Sequence, residues 1–299
     1  MQMFRKPVKT ATQGDRVGIC VTQFDPKTLE RGLVSSPGYL PTLFGALVEV
    51  HKIPYFKGAC LNKSKFHITV GYETVMAKLQ FFGPSTPSID DTFNTDREYV
   101  FQEELDNTTA VLSGKTATTK QYLLLEFERP ITCPKDSLLI GSRLDTDINM
   151  NTCRLAFHGH VIVPFLSEDF QKTFYPQLRI SKSKSKEGVI ERMADDYSVI
   201  VRSLFKKETN LQLFSNMKVR LSTGEDGRIE GGFGQSGKIK VRISDGLKED
   251  TKVMLSSLKK GRGKKGEATS SEDTPSEPVK VYLDFKKYIY DANHKMVQD

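Results

Sequence analysis

The stretch Gly232-Phe233-Gly234-Gln235-Ser236-Gly237-Lys238 fits the first seven positions of a phosphate-binding loop. The eighth is Ile239, where a Ser or Thr hydroxyl should hold magnesium. Such a loop must also open a helix, so that the helix N-terminus faces the phosphates. Lys238-Ile239-Lys240-Val241-Arg242-Ile243 instead alternates as a strand. The reading is a glycine-rich hairpin turn presenting Lys238 and Lys240, with no nucleotide cofactor in this chain. His158 and His160 lie two apart on a second strand and share its face. That spacing suits a metal but needs a third ligand, and no acidic or cysteine partner is evident nearby. Structural or RNA-facing histidines are expected, and no metal. Cys20, Cys60, Cys133 and Cys153 form no CxxC pair, so neither a zinc ribbon nor a disulfide framework is indicated. No nucleophile with a paired base can be argued from spacing.

Charge points to a different chemistry. The net charge is +7. Arg179 to Lys265 holds 21 Lys and Arg against 11 Asp and Glu, a balance of +10, so the rest of the chain sums to −3. Lys182, Lys184, Lys186, Arg202, Lys206 and Lys207 cluster with Tyr197 and Phe205. Cations neutralise phosphates and release counterions, and rings stack on splayed bases. A polyanion partner fits this third of the chain; a solvated basic face over core aromatics is the other reading. The run Lys259-Lys260-Gly261-Arg262-Gly263-Lys264-Lys265 suits an RNA contact or a nuclear-import signal.

These residues must be carried by strands. Phe66, Ile68 and Val70 alternate with His67 and Thr69; Val75, Ala77, Leu79 and Phe81 alternate with Met76, Lys78 and Gln80. A period of two is the signature of a strand with one face to a core. Gly71 to Thr74 is the reversal between them. Phe44, Ala46, Val48 and Val50 write another strand, and Tyr122–Phe127, Leu138–Ile140, Cys153–Phe157 and His160–Val163 complete a barrel closing near Pro164. Residues 84–120 read as an acidic, mobile insertion with one short strand at Tyr99–Phe101. A second β-rich module follows: Leu211–Phe214, Lys218–Leu221, Arg228–Ile229, Lys238–Ile243 and Val279–Tyr290, with helical spacing over Leu247–Leu258. Lys259 to Pro278 reads as disordered.

The length of 299 residues suggests two domains or so. There is no apolar run of 18 residues, hence no membrane span is expected. Met1 to Thr10 lacks the apolar segment of a signal peptide. Residues 1–35, with a turn at Gln13 to Arg16 and a strand at Val17–Val21, cannot close a core alone, so strands are expected upstream.

GDRVGICVTQFDP (14–26), LERGLV (29–34), KIPYFKG (52–58), KFHITVGYETVMAKLQFF (65–82), IGSRLDTDI (140–148), NTCRLAFHG (151–159), DDYSVI (195–200), RSLFKKETN (202–210) and FGQSGK (233–238) resemble the eukaryotic selenocysteine-specific elongation factors. The resemblance implies an all-β chain: the end of the domain II barrel (1–40), a complete elongation-factor-Tu-like domain III barrel (41–165), a linker (166–185) and a smaller β-rich domain IV (186–299). It implies that the GTPase domain, with its GTP and Mg, lies outside this sequence, so no catalysis is expected from these residues. It further implies a cytoplasmic factor delivering selenocysteinyl-tRNA to the ribosome at recoded UGA codons. Its other partner would be the protein bound to the selenocysteine insertion element of the mRNA. By the same resemblance Arg16, with Asp15 in its turn, belongs to the selenocysteinyl pocket, a guanidinium favouring a selenolate. Arg143, Arg154 and His158 are implied tRNA contacts in domain III, and Lys206, Lys207, Lys238, Lys240 and Arg242 RNA contacts in domain IV. The alternatives are a stand-alone RNA-binding adaptor and an enzyme using the Gly232–Lys238 loop.

Overall fold

The computed structural model describes residues 1–25, 27, 31–86, 92–106, 109–112, 115–145, 147, 151–234, 237–260, 278–291 and 295–298. Its first strands, β1 (Gln2–Met3) and β2 (Lys6–Pro7), form a small hairpin. The strand expected at Val17–Val21 is absent. Gly18 makes a single bridge to Gln2 of β1, and Ile19 and Val21 stay exposed, since among the described residues no strand pairs with them.

The first barrel takes β3 (Thr42–Lys52), β4 (Lys65–Val70) and β5 (Glu73–Pro84). Two short pieces of the acidic stretch follow, β6 (Glu98–Phe101) and the β7 (Thr109–Leu112) and β8 (Lys115–Thr118) hairpin. Then come β9 (Gln121–Thr132), β10 (Leu138–Ser142) and β11 (Leu155–Phe165). The antiparallel order β9-β5-β4-β10-β11-β3 closes through a β3–β9 ladder. The alternation at 66–81 does set the β4–β5 register, with Phe66 opposite Ala77 and Ile68 opposite Val75. The turn is tighter than expected: Thr74 and Glu73 already pair with Thr69 and Val70, leaving Gly71-Tyr72, and Gly71 has φ +59°. Inward side chains meet at Phe157, whose ring centroid lies 5.6 Å from Phe66 and 6.2 Å from Phe81. Burying each such ring contributes about 1.5–3 kcal/mol. The ring lies where a Cβ on Gly141 would stand, 2.1 Å away, which is why that position has no side chain.

The second barrel is also a closed ring. Its strands are β12 (Arg179–Asp195), β13 (Ser198–Arg202), β14 (Lys218–Leu221), β15 (Asp226–Phe233), β16 (Lys238–Ile243) and β17 (Lys280–Tyr288). The order β12-β13-β16-β15-β14-β17 returns to β12 by nine paired positions from Ser181 to Val189. The last strand, β18 (Met296–Val297), lies on β17. The strand expected at Leu211–Phe214 is a 3-10 turn, because the Asn210 side chain accepts the Gln212 N–H at 3.1 Å and starts a helical turn. Helix α1 (Phe170–Thr173) precedes this barrel. Helix α2 (Glu249–Lys260) is seated on buried Glu225, which accepts from the Lys248 N–H at 2.7 Å and the Thr251 hydroxyl at 3.0 Å. The disorder expected over Lys259 to Pro278 falls mostly on residues 261–277, outside the described residues, but at Lys259 and Lys260 it is overturned, because helix α2 runs on through them.

Two expectations about the junction need correction. Residues 166–185 are not simply a linker, since β12 begins at Arg179. The acidic stretch is also built into the fold where it is described. β6 pairs antiparallel with β5 and parallel with Arg179–Ser181 of β12, making one sheet across both barrels. Tyr99 and Leu105 are buried, and Tyr99 packs with Phe82 and Tyr122 in an aromatic cluster that also takes Tyr175 and Ile180. Apolar burial at these positions outweighs the polar composition around them.

Candidate nucleic-acid interface

A groove of about 1060 Å³ runs over the outer face of β12, β17, β14 and β15. On β14 the buried Val219 and Leu221 alternate with exposed Lys218 and Arg220, and on β15 the buried Gly227 and Ile229 alternate with exposed Asp226 and Arg228. Lys184 from β12 and Lys286 from β17 complete a lining of five cations against Asp226 and Asp284. Ser183, Ser185 and Tyr282 add hydroxyls. Arg220 Nε lies 3.4 Å from Asp226 Oδ1, and Arg228 donates to Asn216 Oδ1 at 3.2 Å. Between β14 and β17 the ladder has only two paired positions, and Gln298 fills the gap beyond them. Its side-chain amide accepts from the Lys218 N–H at 2.6 Å and donates to the Lys218 and Asp284 carbonyls, both at 2.8 Å. An open groove with excess positive charge and rotatable hydroxyls suits phosphates on a backbone more than a small apolar ligand.

The expected domain IV residues stand elsewhere on the same barrel. Lys206 and Lys207 are exposed in the turn after β13. Gly237 packs against their backbone, a Cβ there meeting Lys206 C and Lys207 N at 3.2 Å, so the glycine turn and the lysine turn form one tip. Lys238, Lys240 and Arg242 project from β16, but each is matched by a carboxylate. Lys238 lies 2.8 Å from Glu191, Lys240 lies 2.9 Å from Glu230, and Arg242 lies 3.4 Å from Glu230. The hydrogen bond and charge of Lys240, then Arg242, hold the Glu230 carboxyl below its usual range. Of this set Lys206 and Lys207 are the more available cations. Lys186 lies over the Phe205 and Phe214 rings at 4.5 and 5.4 Å; burial, then Lys184 and Lys206, push its ammonium pKa down. It is a packing lysine more than a free contact.

The expected residues of the first barrel also separate. Arg154 is tied inward, with Nε donating to the Arg143 carbonyl at 3.1 Å and a guanidinium N–H to the Leu144 carbonyl. Arg143 is stacked over Phe66 at 4.6 Å. Both brace the end of β10. His158 is exposed on β11. Asp15 closes its own turn, accepting the Thr12 N–H at 2.7 Å and hydroxyl at 3.0 Å; these bonds hold its carboxyl below the usual range. Arg16 beside it is exposed.

The structure does not suit a nucleotide at 232–238. Gly232 and Phe233 of β15 pair with Ile239 and Lys238 of β16, so Lys238 opens a strand and not a helix, and among the described residues no group of three or more His, Cys, Asp or Glu side chains could hold a metal ion. Among the described residues no helix is long and apolar enough to cross a membrane.

Residues 47–159 match the family described as "Selenocysteine-specific elongation factor, eukaryotes, 3rd domain", and residues 176–295 match "eEFSec C-terminal RIFT domain". The chain is 50% identical over 326 residues to the selenocysteine-specific elongation factor of Mus musculus, covering 100% of this chain and 56% of the mouse protein. The protein of that name from Methanocaldococcus jannaschii is 24% identical over 263 residues, covering 87% of this chain and 50% of its own length. Crystal structures of SelB from Methanococcus maripaludis, apo and with the GTP analogue GppNHp, superpose with TM-scores of 0.57 and 0.56. Both are 21% identical, and the match covers 96% of this chain and 52% of theirs. This likeness concerns the fold. The chain spans about half the length of the curated relatives it matches.

Proposed function

Since this chain belongs to the selenocysteine-specific elongation factor family, we propose that it supplies the tRNA-holding and partner-binding part of such a factor. The work proposed is delivery of selenocysteinyl-tRNA to the ribosome at recoded UGA codons, in the cytoplasm. GTP and its Mg²⁺ would be held outside these 299 residues, because the one loop resembling a nucleotide site is a strand hairpin. The family matches favour this reading over a stand-alone adaptor.

The observation that carries it is the pairing of a family-matched second barrel with a cation-lined groove on its outer face. Backbone phosphates would lie along Lys218, Arg220 and Arg228, and the tip lysines Lys206 and Lys207 would extend the contact. Shape and 2′-hydroxyls, rather than base edges, would be read. Arg16 remains the proposed selenocysteinyl contact. A protein bound to the messenger's insertion element is the proposed second partner, reached through this same barrel.

The test is anisotropy of a labelled selenocysteine tRNA transcript against the chain, with and without Lys206→Glu and Lys207→Glu. The reading expects submicromolar binding at low salt that weakens and loses salt sensitivity in the double variant. Absence of binding at 50 mM salt would end it.

A further inference from the structure

Phe233 is a large apolar ring left outside the cores. It is 41% exposed and belongs to no core cluster. Strict alternation from the buried Ile229 would have turned it inward with Gly231. The β15–β16 register instead shifts between Ile229 and Gly231, and the extra residue reverses the faces. Phe233 then stands opposite Lys238, and Gly231 opposite Lys240, all on the outer side of the barrel. Gly231, Gly232 and Gly234 place no side chain beside the ring.

One side chain does reach it. Arg192, exposed on β12, holds its guanidinium carbon 5.6 Å from the Phe233 ring centroid. Arg192, Ile200, Lys240 and Gly231 form one row across β12, β13, β16 and β15. Ile200 in that row lies outside the core cluster yet is 1% exposed, so the outer side chains here lie flat across the sheet. Arg192 makes no ion pair with a described residue, unlike Lys238, Lys240 and Arg242. The backbone of Lys206 and Lys207 packs on Gly237, next to Lys238. The outcome is a solvent-open ring with a guanidinium over it, and ammonium groups close by.

Such a ring takes a flat π-face whose surroundings are anionic. A protein anchor would want an apolar surround that excludes water, and the charged neighbours here are cations. We propose that Phe233 and Arg192 form a stacking platform for one unpaired nucleobase of a bound RNA. The proposal rests on the reading of this barrel as an RNA binder and adds a site outside the groove, further along β15 from Arg228. The base lies on the exposed part of the ring, and the guanidinium donates to the adjoining phosphate. Stacking uses the face of the base and reads no edge, so it tolerates any sequence.

Anisotropy of a short labelled single-stranded RNA, uridines around one central 2-aminopurine, tests this on the full chain at low salt, beside a blunt RNA duplex with no unpaired base. Phe233→Ala is expected to weaken the single strand about fivefold or more and the duplex less than twofold. The salt slope stays as it was, because no charge is lost. Phe233→Trp restores the affinity, and Tyr55→Ala, at another exposed ring, changes nothing. 2-Aminopurine fluorescence falls on binding the unaltered chain and not on binding Phe233→Ala. Circular dichroism checks that the variants keep their fold. Equal losses on the two RNAs would overturn the platform, and so would no loss on either, which would leave the ring to a protein partner. If the chain binds neither these RNAs nor the tRNA transcript, the RNA reading of the barrel ends and this proposal ends with it. Duplex and tRNA binding with an indifferent Phe233 ends the proposal alone.

Discussion

Neutralising Lys218 and Arg228 together, as Lys218→Gln with Arg228→Gln, isolates the groove. Both side chains are exposed on the outer face of β14 and β15, and the interior partners of those strands, Val219 and Ile229, are untouched. Arg228 loses one exposed hydrogen bond to Asn216. Stability should therefore shift by no more than about 0.5 kcal/mol. RNA binding should change more. Each phosphate neutralised contributes about 0.9 to the slope of log K against log salt on a duplex, so losing two lowers the slope by about 1.8. From 50 to 200 mM salt the unaltered chain should then lose about tenfold more affinity than the variant. Fluorescence anisotropy of a labelled selenocysteine tRNA transcript across that range reads both lines. Parallel lines would mean that neither cation meets a phosphate, and the groove would be dropped as the interface.

Arg16→Ala, placed in a full-length factor, should weaken selenocysteinyl-tRNA binding more than seryl-tRNA binding; equal losses in a filter assay would remove Arg16 from the pocket. Gly141→Ala should destabilise the first barrel by about 1–3 kcal/mol or more in denaturant unfolding, because its Cβ would lie 2.1 Å from the Phe157 ring; an unchanged midpoint would mean that the ring moves freely. Glu225→Ala should remove the seat of α2, costing about 2–3 kcal/mol and speeding amide exchange in residues 249–256; protected amides there would refute the seat. Burial pushes the Cys60 thiol up to about 11, with Lys52 opposing. The native state thus keeps this proton after the unfolded chain has lost it, so Cys60 makes stability fall as pH rises from about 9 to about 11. Cys60→Ala should flatten that part of a pH-stability profile, and an unaltered slope would count against burial as the cause.

Much of the fold could be read directly because the first barrel's strands carry strict alternation. Phe66, Ile68, Val75 and Ala77 determine their own register through a single possible turn. The β16 pattern likewise marks a strand end to end, from Lys238 to Ile243. What escaped reading is what depends on distant partners. β12 serves β6 with its first three residues and β17 with the following stretch, and nothing local in Arg179 to Lys186 marks that change. Leu211 to Phe214 looks like a strand until the Asn210 side chain takes an amide proton. The groove was hidden because its cations sit on four strands, each contributing one or two ordinary surface residues. Alternation of Lys218 and Arg220 with Val219 and Leu221 is a signal that could have flagged two of them. The partners of His158 lay on β3, and only the ladder brings Glu49 and His51 beside it. Conversely, charge alone overrated Lys238, Lys240 and Arg242, whose carboxylate neighbours come from β12 and β15.

The most direct measurement for the central claim is competition on the intact chain. Labelled selenocysteine tRNA is bound at 100 mM salt and displaced by unlabelled selenocysteine tRNA or by an elongator alanine tRNA. The account predicts that the selenocysteine tRNA competes at least tenfold better. Equal competition by the two would contradict it, leaving a basic surface that binds any RNA.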